Sequence, residues 1–255
     1  MTSQSEDTSR IPVAVLSVAG LILGWSILAF AKSDPSVLPG PWIVAPLIAT
    51  EAVSGELFHH LGATLARVAV AFVIAMSVGI AFGLFMGRSA RADRWLDPWL
   101  IAFLNLPALV TIVLCYLWIG LNEVAAVTAV ALNKIPAVTV TIREGARTLD
   151  PQLDDMAHVF RLDRWTRLRH VLLPQLAPYL ASAGRSGVAL IWKIVLVVEF
   201  LGRGEGIGFR FHLYFQLFDV AMVLTYALSF IVVMLIIESF VLRPWEAQTS
   251  RWRTA

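Results

Sequence analysis

The chain has 255 residues, 58% of them hydrophobic and 15% charged, with a formal net charge of +2 and a mean hydropathy of +0.75. A soluble domain carries about 25% charged residues, so most of this chain belongs in lipid, and the near-neutral balance leaves no basic footprint for nucleic acid. One cysteine, Cys115, excludes an intramolecular disulfide and a cysteine metal cluster, and in its apolar surroundings it reads as a small hydrophobe.

Residues 1–10 are polar and expected to be disordered. An apolar run follows over 11–31. Ala29-Phe30-Ala31 imitates a signal-peptidase site, but the run exceeds the ~7–15 residues of a secretory signal and only Arg10 precedes it, so it reads as an uncleaved anchor. Leu38-Pro39-Gly40-Pro41 then breaks the chain. Within the external segment 32–61, residues 43–60 are expected to form a short amphipathic helix on the outer surface. Five further apolar stretches cover 62–87, 97–121, 123–142, 175–200 and 219–242, and a tail occupies 243–255. A bilayer core needs about 20 apolar helical residues, and backbone facing lipid must satisfy its own hydrogen bonds. The fold class is therefore an all-α membrane protein with six transmembrane helices. Gly79, Gly83 and Gly87, spaced i, i+4, i+8, allow another helix to approach closely.

Charge sets the orientation. With the N-terminus inside, the inner segments hold 13 arginines: Arg10, Arg88, Arg91, Arg94, six from Arg143 to Arg169, Arg243, Arg251 and Arg253. The outer segments hold Lys32, Arg203 and Arg210, so both termini are expected to be cytoplasmic. Trp42, Trp95, Trp118 and Trp245 fall near the expected interfaces. The only sizeable polar loop, 143–173, is thereby cytoplasmic. After Asp150-Pro151, the residues Leu153, Met156, Ala157, Phe160 and Trp165 recur at roughly helical spacing among charges, which predicts a short amphipathic helix, a turn and a basic lead into span five.

No GxxxxGK[ST] sequence occurs, so the chain has no P-loop. The run Gly202, Gly204, Gly206, Gly208 follows a span rather than a strand and is not a phosphate cradle. His59, His60, His158, His170 and His212 show no metal-ligand spacing and read as surface residues. Charges inside the spans mean more, because each costs about 2.5–3.5 kcal/mol at a helix centre. Arg67 is close enough to an outer end to snorkel. Lys134 beside Asn133, together with Arg185, Lys193 and Glu199, either lines a polar path favouring an anion or forms structural ion pairs. Lys193 and Glu199, six apart, lie on different faces and need other partners.

These residues resemble the permease subunits of bacterial binding-protein-dependent ABC importers, in the nitrate/sulfonate/taurine branch. That family's coupling loop runs EAA, three residues, Gly, nine residues, then a branched residue, any residue and Leu-Pro. Here the frame holds Asp155-Met156-Ala157, Arg161, and Val171-Leu172-Leu173-Pro174. Leu38-Pro39-Gly40-Pro41 is similar to the family's LPSP-like opening. Thr64, Leu65 and Arg67 with the three glycines, then Asn105, Pro107, Trp118, Gly120 and Glu123, then Trp192, Glu199, Leu201, Gly206, Ile207 and Gly208, follow in the family's order.

The resemblance covers about 38–242 and implies the type I ABC importer permease architecture. It places a core over 62–242 and a cytoplasmic coupling helix between spans four and five, in a bacterial inner membrane. It implies a homodimer forming the pathway and two cytoplasmic ABC ATPases docking at Leu153, Asp155, Met156, Ala157, Phe160, Arg161, Leu173 and Pro174. It also implies an external binding protein that delivers a small anionic solute, with Asn105, Lys134, Arg185, Lys193 and Glu199 as path candidates. No cofactor or metal is expected on this chain, which is not expected to be an enzyme; ATP and Mg belong to the ATPase. Three positions depart from the family: Arg161 stands where it has Gly, Asp155 where it has Glu, and Val113 where the branch often has a second proline. An ATPase-independent secondary transporter or channel would explain the spans and charges, but not an amphipathic helix at that position. A membrane enzyme would need a catalytic cluster that the sequence lacks.

Overall fold

Three glycines set a close contact between two long helices. The computed structural model describes the backbone of residues 5–242 and the side chains of 16–240 except residue 154. Among these, α3 (Glu56–Arg88) packs along α6 (Glu123–Arg147). A Cβ on Gly79, Gly83 or Gly87 would lie 2.6, 2.7 or 2.5 Å from the Cβ of Val138, Ile142 or Ala146 respectively. That register advances in step along both chains, as only parallel helices allow. The glycine spacing thus produces the close approach expected from it.

Around this pair the described regular structure is entirely helical: α1 (Ser5–Lys32), α2 (Pro41–Val53), α4 (Ala90–Leu104), α5 (Ala108–Ile119), α7 (Pro151–Val159), α8 (Arg164–Arg167), α9 (Leu173–Gly202), α10 (Ile207–Gln216) and α11 (Val220–Ile237). Single π-helical turns at Leu168–Leu172 and Glu238–Leu242 join α8 to α9 and extend α11. Local capping explains several starts. Asn122 accepts from the Ala125 amide, Ser89 from Ala92 and Asp219 from Met222.

The structure differs from several expectations. The stretch 97–121 is two helices, α4 and α5, bent by 95°. Pro107 has no N–H to donate and turns Leu106 out of the helical region, so the chain breaks at Asn105-Leu106-Pro107 and then runs unbroken through Val113. The helix after Pro41 is not amphipathic. Apart from Thr50 and Glu51 it is apolar, and it packs against α11, where Tyr226 donates its hydroxyl to Glu51. Residues 56–61 belong to α3, and α1 is helical from Ser5. The glycine run leads into a helix, α10, that periodicity did not reveal. The expected tail, 243–255, lies outside the described residues.

Three helices, α3, α6 and α11 with its extension, are long and apolar enough to cross a membrane, or up to four if the bent α4–α5 pair is one span. With 30 residues, α9 reaches about 45 Å and interleaves Arg185, Lys193 and Glu199 with its apolar positions. The main core gathers Ala71, Ala75, Ile112, Ala129, Ile191 and Val195 from α3, α5, α6 and α9.

Gly83→Ala would press a methyl to 2.8 Å from the Thr139 carbonyl oxygen, so the helices must part, at about 1–3 kcal/mol. Gly62→Ala, on the same helix with open space around it, should instead stabilise by about 0.5–1 kcal/mol. A thermal melt in detergent in which both substitutions move the midpoint the same way would refute the close packing.

Candidate functional site

Two polar assemblies occupy opposite ends of the α3–α6–α9 bundle. At one end, the Arg67 side chain is only 6% exposed and meets three carboxylates. Its Nε and Nη2 donate to the two oxygens of Glu123 at 2.8 and 2.7 Å, its Nη1 donates to Glu199 at 2.6 Å, and Nη2 reaches Glu205 at 3.1 Å. Arg203 also donates to Glu123. Glu199 is fully buried and its second oxygen accepts from the Thr64 hydroxyl and the Gly208 amide, each at 2.9 Å. Thr64 in turn accepts from the Ile207 amide at 2.9 Å, and His60 Nδ1 accepts from the Gly206 amide at 3.0 Å. Gly206 sits at φ +110, where side chains are strained, and a Cβ on Gly208 would stand 2.2 Å from the Leu196 carbonyl oxygen. The glycine run therefore lets the Gly208 amide reach Glu199 while those of Ile207 and Gly206 reach Thr64 and His60.

Several sequence expectations change here. Arg67 does not snorkel; it is buried among carboxylates, because Glu123, Glu199 and Glu205 neutralise it in place. His60 is buried rather than a surface residue, while His59 is exposed and 3.4 Å from Glu205. Glu199 is buried against Arg67 and Thr64. Thr64, Glu123, Gly206, Ile207 and Gly208 were visible only as parts of a family pattern, and the structure brings them together in one knot.

At the other end the chain leaves α6, forms α7, turns, and returns through α8 into α9. Asp150 caps α7 by accepting from Gln152, and its own amide donates to Gln175. Asp163 caps α8. The Thr166 hydroxyl and amide, with the Trp165 amide, hold its carboxyl below the usual carboxylate range. Arg161 adopts φ +49. The Leu162 amide donates to Ala157 at 2.9 Å and the Arg161 amide to His158 at 3.0 Å, the paired bonds of a Schellman ending with Arg161 at the left-handed position. The turn that glycine makes in the family is thus made here by arginine. Ala157 is buried, whereas Leu153, Met156 and Phe160 are 39, 37 and 71% exposed. Asp155 is exposed, Leu173 opens α9 and Pro174 sits in its first turn. Beneath them, Arg143 pairs with Asp93 and Asp97, and Arg147 with Asp93, which ties α6 to α4.

Of the other path candidates, Arg185 and Lys193 lie on the exposed face of α9 with Lys134 at Ser186 of that face, and Asn105 stands apart. Asn105 ends α4 with its amide on the Ile101 carbonyl. Arg185 pairs with Glu238 at 3.3 Å. Lys134 is 3% exposed, and its ammonium meets the Ser186 hydroxyl at 3.4 Å. Lys193 is exposed and lies over the Trp192 ring. No group of three or more metal-ligating side chains occurs among the described residues.

The molecule is a helical membrane bundle with a buried ion knot at one end and a polar excursion at the other. The fold is similar to that of a solved amino acid ABC transporter with histidines, with a TM-score of 0.61 at 20% identity, covering 78% of this chain and 97% of that one. Residues 79–243 match the model of the binding-protein-dependent transport system inner membrane component, and the chain belongs to that family as a permease subunit of an ABC importer. The putative aliphatic sulfonates transport permease protein SsuC of Bacillus subtilis is 27% identical over 96% of this chain and 87% of that protein. The bicarbonate transport system permease protein CmpB of Synechococcus elongatus is 27% identical over 81% and 77%.

Arg67→Met should leave Glu199 buried without its cation, destabilising the fold by about 3–5 kcal/mol. Glu205→Gln, at a carboxylate 43% exposed, should cost at most ~1 kcal/mol; equal losses in a thermal melt would contradict this ranking. Arg161→Gly should relieve about 1 kcal/mol of left-handed strain, seen as slower hydrogen exchange of the Leu162 amide. Faster exchange would show that the arginine side chain itself holds the turn.

Proposed function

We propose that two copies of this chain enclose the pathway of an inner-membrane importer for a small anion, and that the α7 excursion is where its two ATPases engage. The observation that carries this reading is the surface of the excursion. Val159, Phe160 and Trp165 are 78, 71 and 67% exposed, in a segment whose other side chains include Asp155, Arg161, Arg164 and Arg167. Large apolar side chains set among charges outside the bundle suit a protein groove, with the charges fixing register. Leu153 and Met156 extend the apolar stripe, Ala157 seats it on the turn below, and Leu173 and Pro174 pass its position into α9.

Six spans follow if α1, α3, bent α4–α5, α6, α9 and α11 each cross. Both termini are then cytoplasmic, in keeping with the arginine distribution. The exposed face of α9 carries Ser182, Arg185, Ser186, Ala189 and Lys193. Lipid is a poor neighbour for that face, and a polar pathway shared with a second copy suits it. Lys134 reaches the same face through Ser186. These cations, and relatives named for sulfonates and bicarbonate, favour an anion delivered by an external binding protein.

The test is purification with the co-expressed ATPase and binding protein. Phe160→Ala combined with Asp155→Ala should lower solute-stimulated ATP hydrolysis on the order of tenfold without shifting the melting midpoint of the permease. Wild-type stimulation would sink the docking assignment. Lys193→Met should reduce anion uptake in vesicles; unchanged uptake with a lower melting midpoint would make Lys193 a structural residue.

A further inference from the structure

A crevice between α3, α4 and α6 plays no part in the proposed transport. It encloses about 210 Å3 and is lined by Phe82, Met86, Leu96, Trp99, Phe103 and Leu132, among others, with almost no polar surface. Trp99 and Phe103 of its α4 wall, with Trp95 one turn before them, are 67, 46 and 76% exposed respectively. These three follow Arg91 at four-residue steps, so one stripe of α4 runs from a cation through two indoles to a phenyl ring. Arg94, three residues on, adjoins Arg91 at the start of the stripe.

The acidic residues of α4 do not cancel these cations. Asp93 and Asp97 are bound by Arg143 and Arg147 of α6. Arg94 makes one contact, to its own helix at the Ala90 carbonyl, and Arg91 pairs with nothing among the described residues. An apolar slot beside exposed indoles, with unneutralised guanidinium groups one to two turns earlier on the same helix, matches a lipid with a negative headgroup. We infer that this crevice binds an anionic phospholipid, with one acyl chain in the slot and the phosphate held by Arg91 and Arg94.

The test uses the delipidated full chain in detergent, titrated with phosphatidylglycerol or phosphatidylcholine of the same acyl chains and read by melting midpoint and by lipid retained after gel filtration. Half-maximal stabilisation should need about tenfold less phosphatidylglycerol than phosphatidylcholine, on the order of 1 kcal/mol per basic residue. The double variant R91Q/R94Q should lose that preference with its phosphatidylcholine response unchanged. Leu132→Trp, which fills the slot, should retain less of either lipid. An equal response to both lipids would overturn the inference, as would a preference that survives R91Q/R94Q or stabilisation by glycerol phosphate alone. A cross-protomer disulfide formed by Trp99→Cys would also overturn it, by placing a second copy of the chain over the crevice.

Discussion

Arginine cannot shed its proton in a protein, so once Arg67 is buried its charge has to be met where it stands. That requirement organises one end of the molecule. Glu123 comes from the first turn of α6, Glu199 from the last turns of α9 and Glu205 from the loop beyond, so three separate stretches must converge on α3. The loop can comply only because its glycines let the backbone close on Glu199. The amide of Gly208 supplies a hydrogen bond there, in a space that no side chain could share. With its two oxygens fully engaged, Glu199 tolerates complete burial, which an unpaired carboxylate would not.

The same convergence gives the excursion a fixed reference. The 25 residues of α6 run from the knot to the loop, a distance of about 37 Å, and α9 returns over the same span. Near the loop the two helices touch where Gly145 meets the ring of Tyr179, and α4 is tied to α6 by the Arg143 and Arg147 pairs. Both helices that hold the α7 excursion are thus anchored at their far ends to α3. Packed helices deform little along their length, so a displacement applied at α7 would be felt as tilting about the Arg67 knot. That is the mechanical property an ATP-driven permease needs.

Much of this was legible in the sequence, and what was not has identifiable causes. The helices over 175–200 and 219–242 declared themselves through apolar run length and the polar loop through its charges, and the three glycines announced the α3–α6 contact through spacing alone. The break at Pro107 was hidden because Leu106 and Ala108 keep the hydropathy high across it; composition does not register a lost N–H. The helix α10 was hidden by the glycines before it. Arg67 was misread because a lone cation near a span end has two outcomes, snorkelling or pairing. The choice depends on carboxylates 56 and 132 positions away. Arg161 was recognised as anomalous, but only backbone dihedrals could reveal that it takes the glycine conformation.

The distribution of carboxylates bears on what crosses the membrane. Arg67 has three, Arg143 and Arg147 share three, and Arg185 has Glu238. Lys134 and Lys193 have none among the described residues. Structural stability alone would favour a counter-ion for each, since an uncompensated cation inside a membrane protein is costly. Lys193 lies on the exposed face of α9 and Lys134 meets Ser186 of that face, where the neighbouring cation, Arg185, is already met by Glu238. Selection for a fold would have neutralised these two sites. Leaving them cationic makes sense if the missing charge arrives with the solute, because a permanent carboxylate there would compete with each anion that passes.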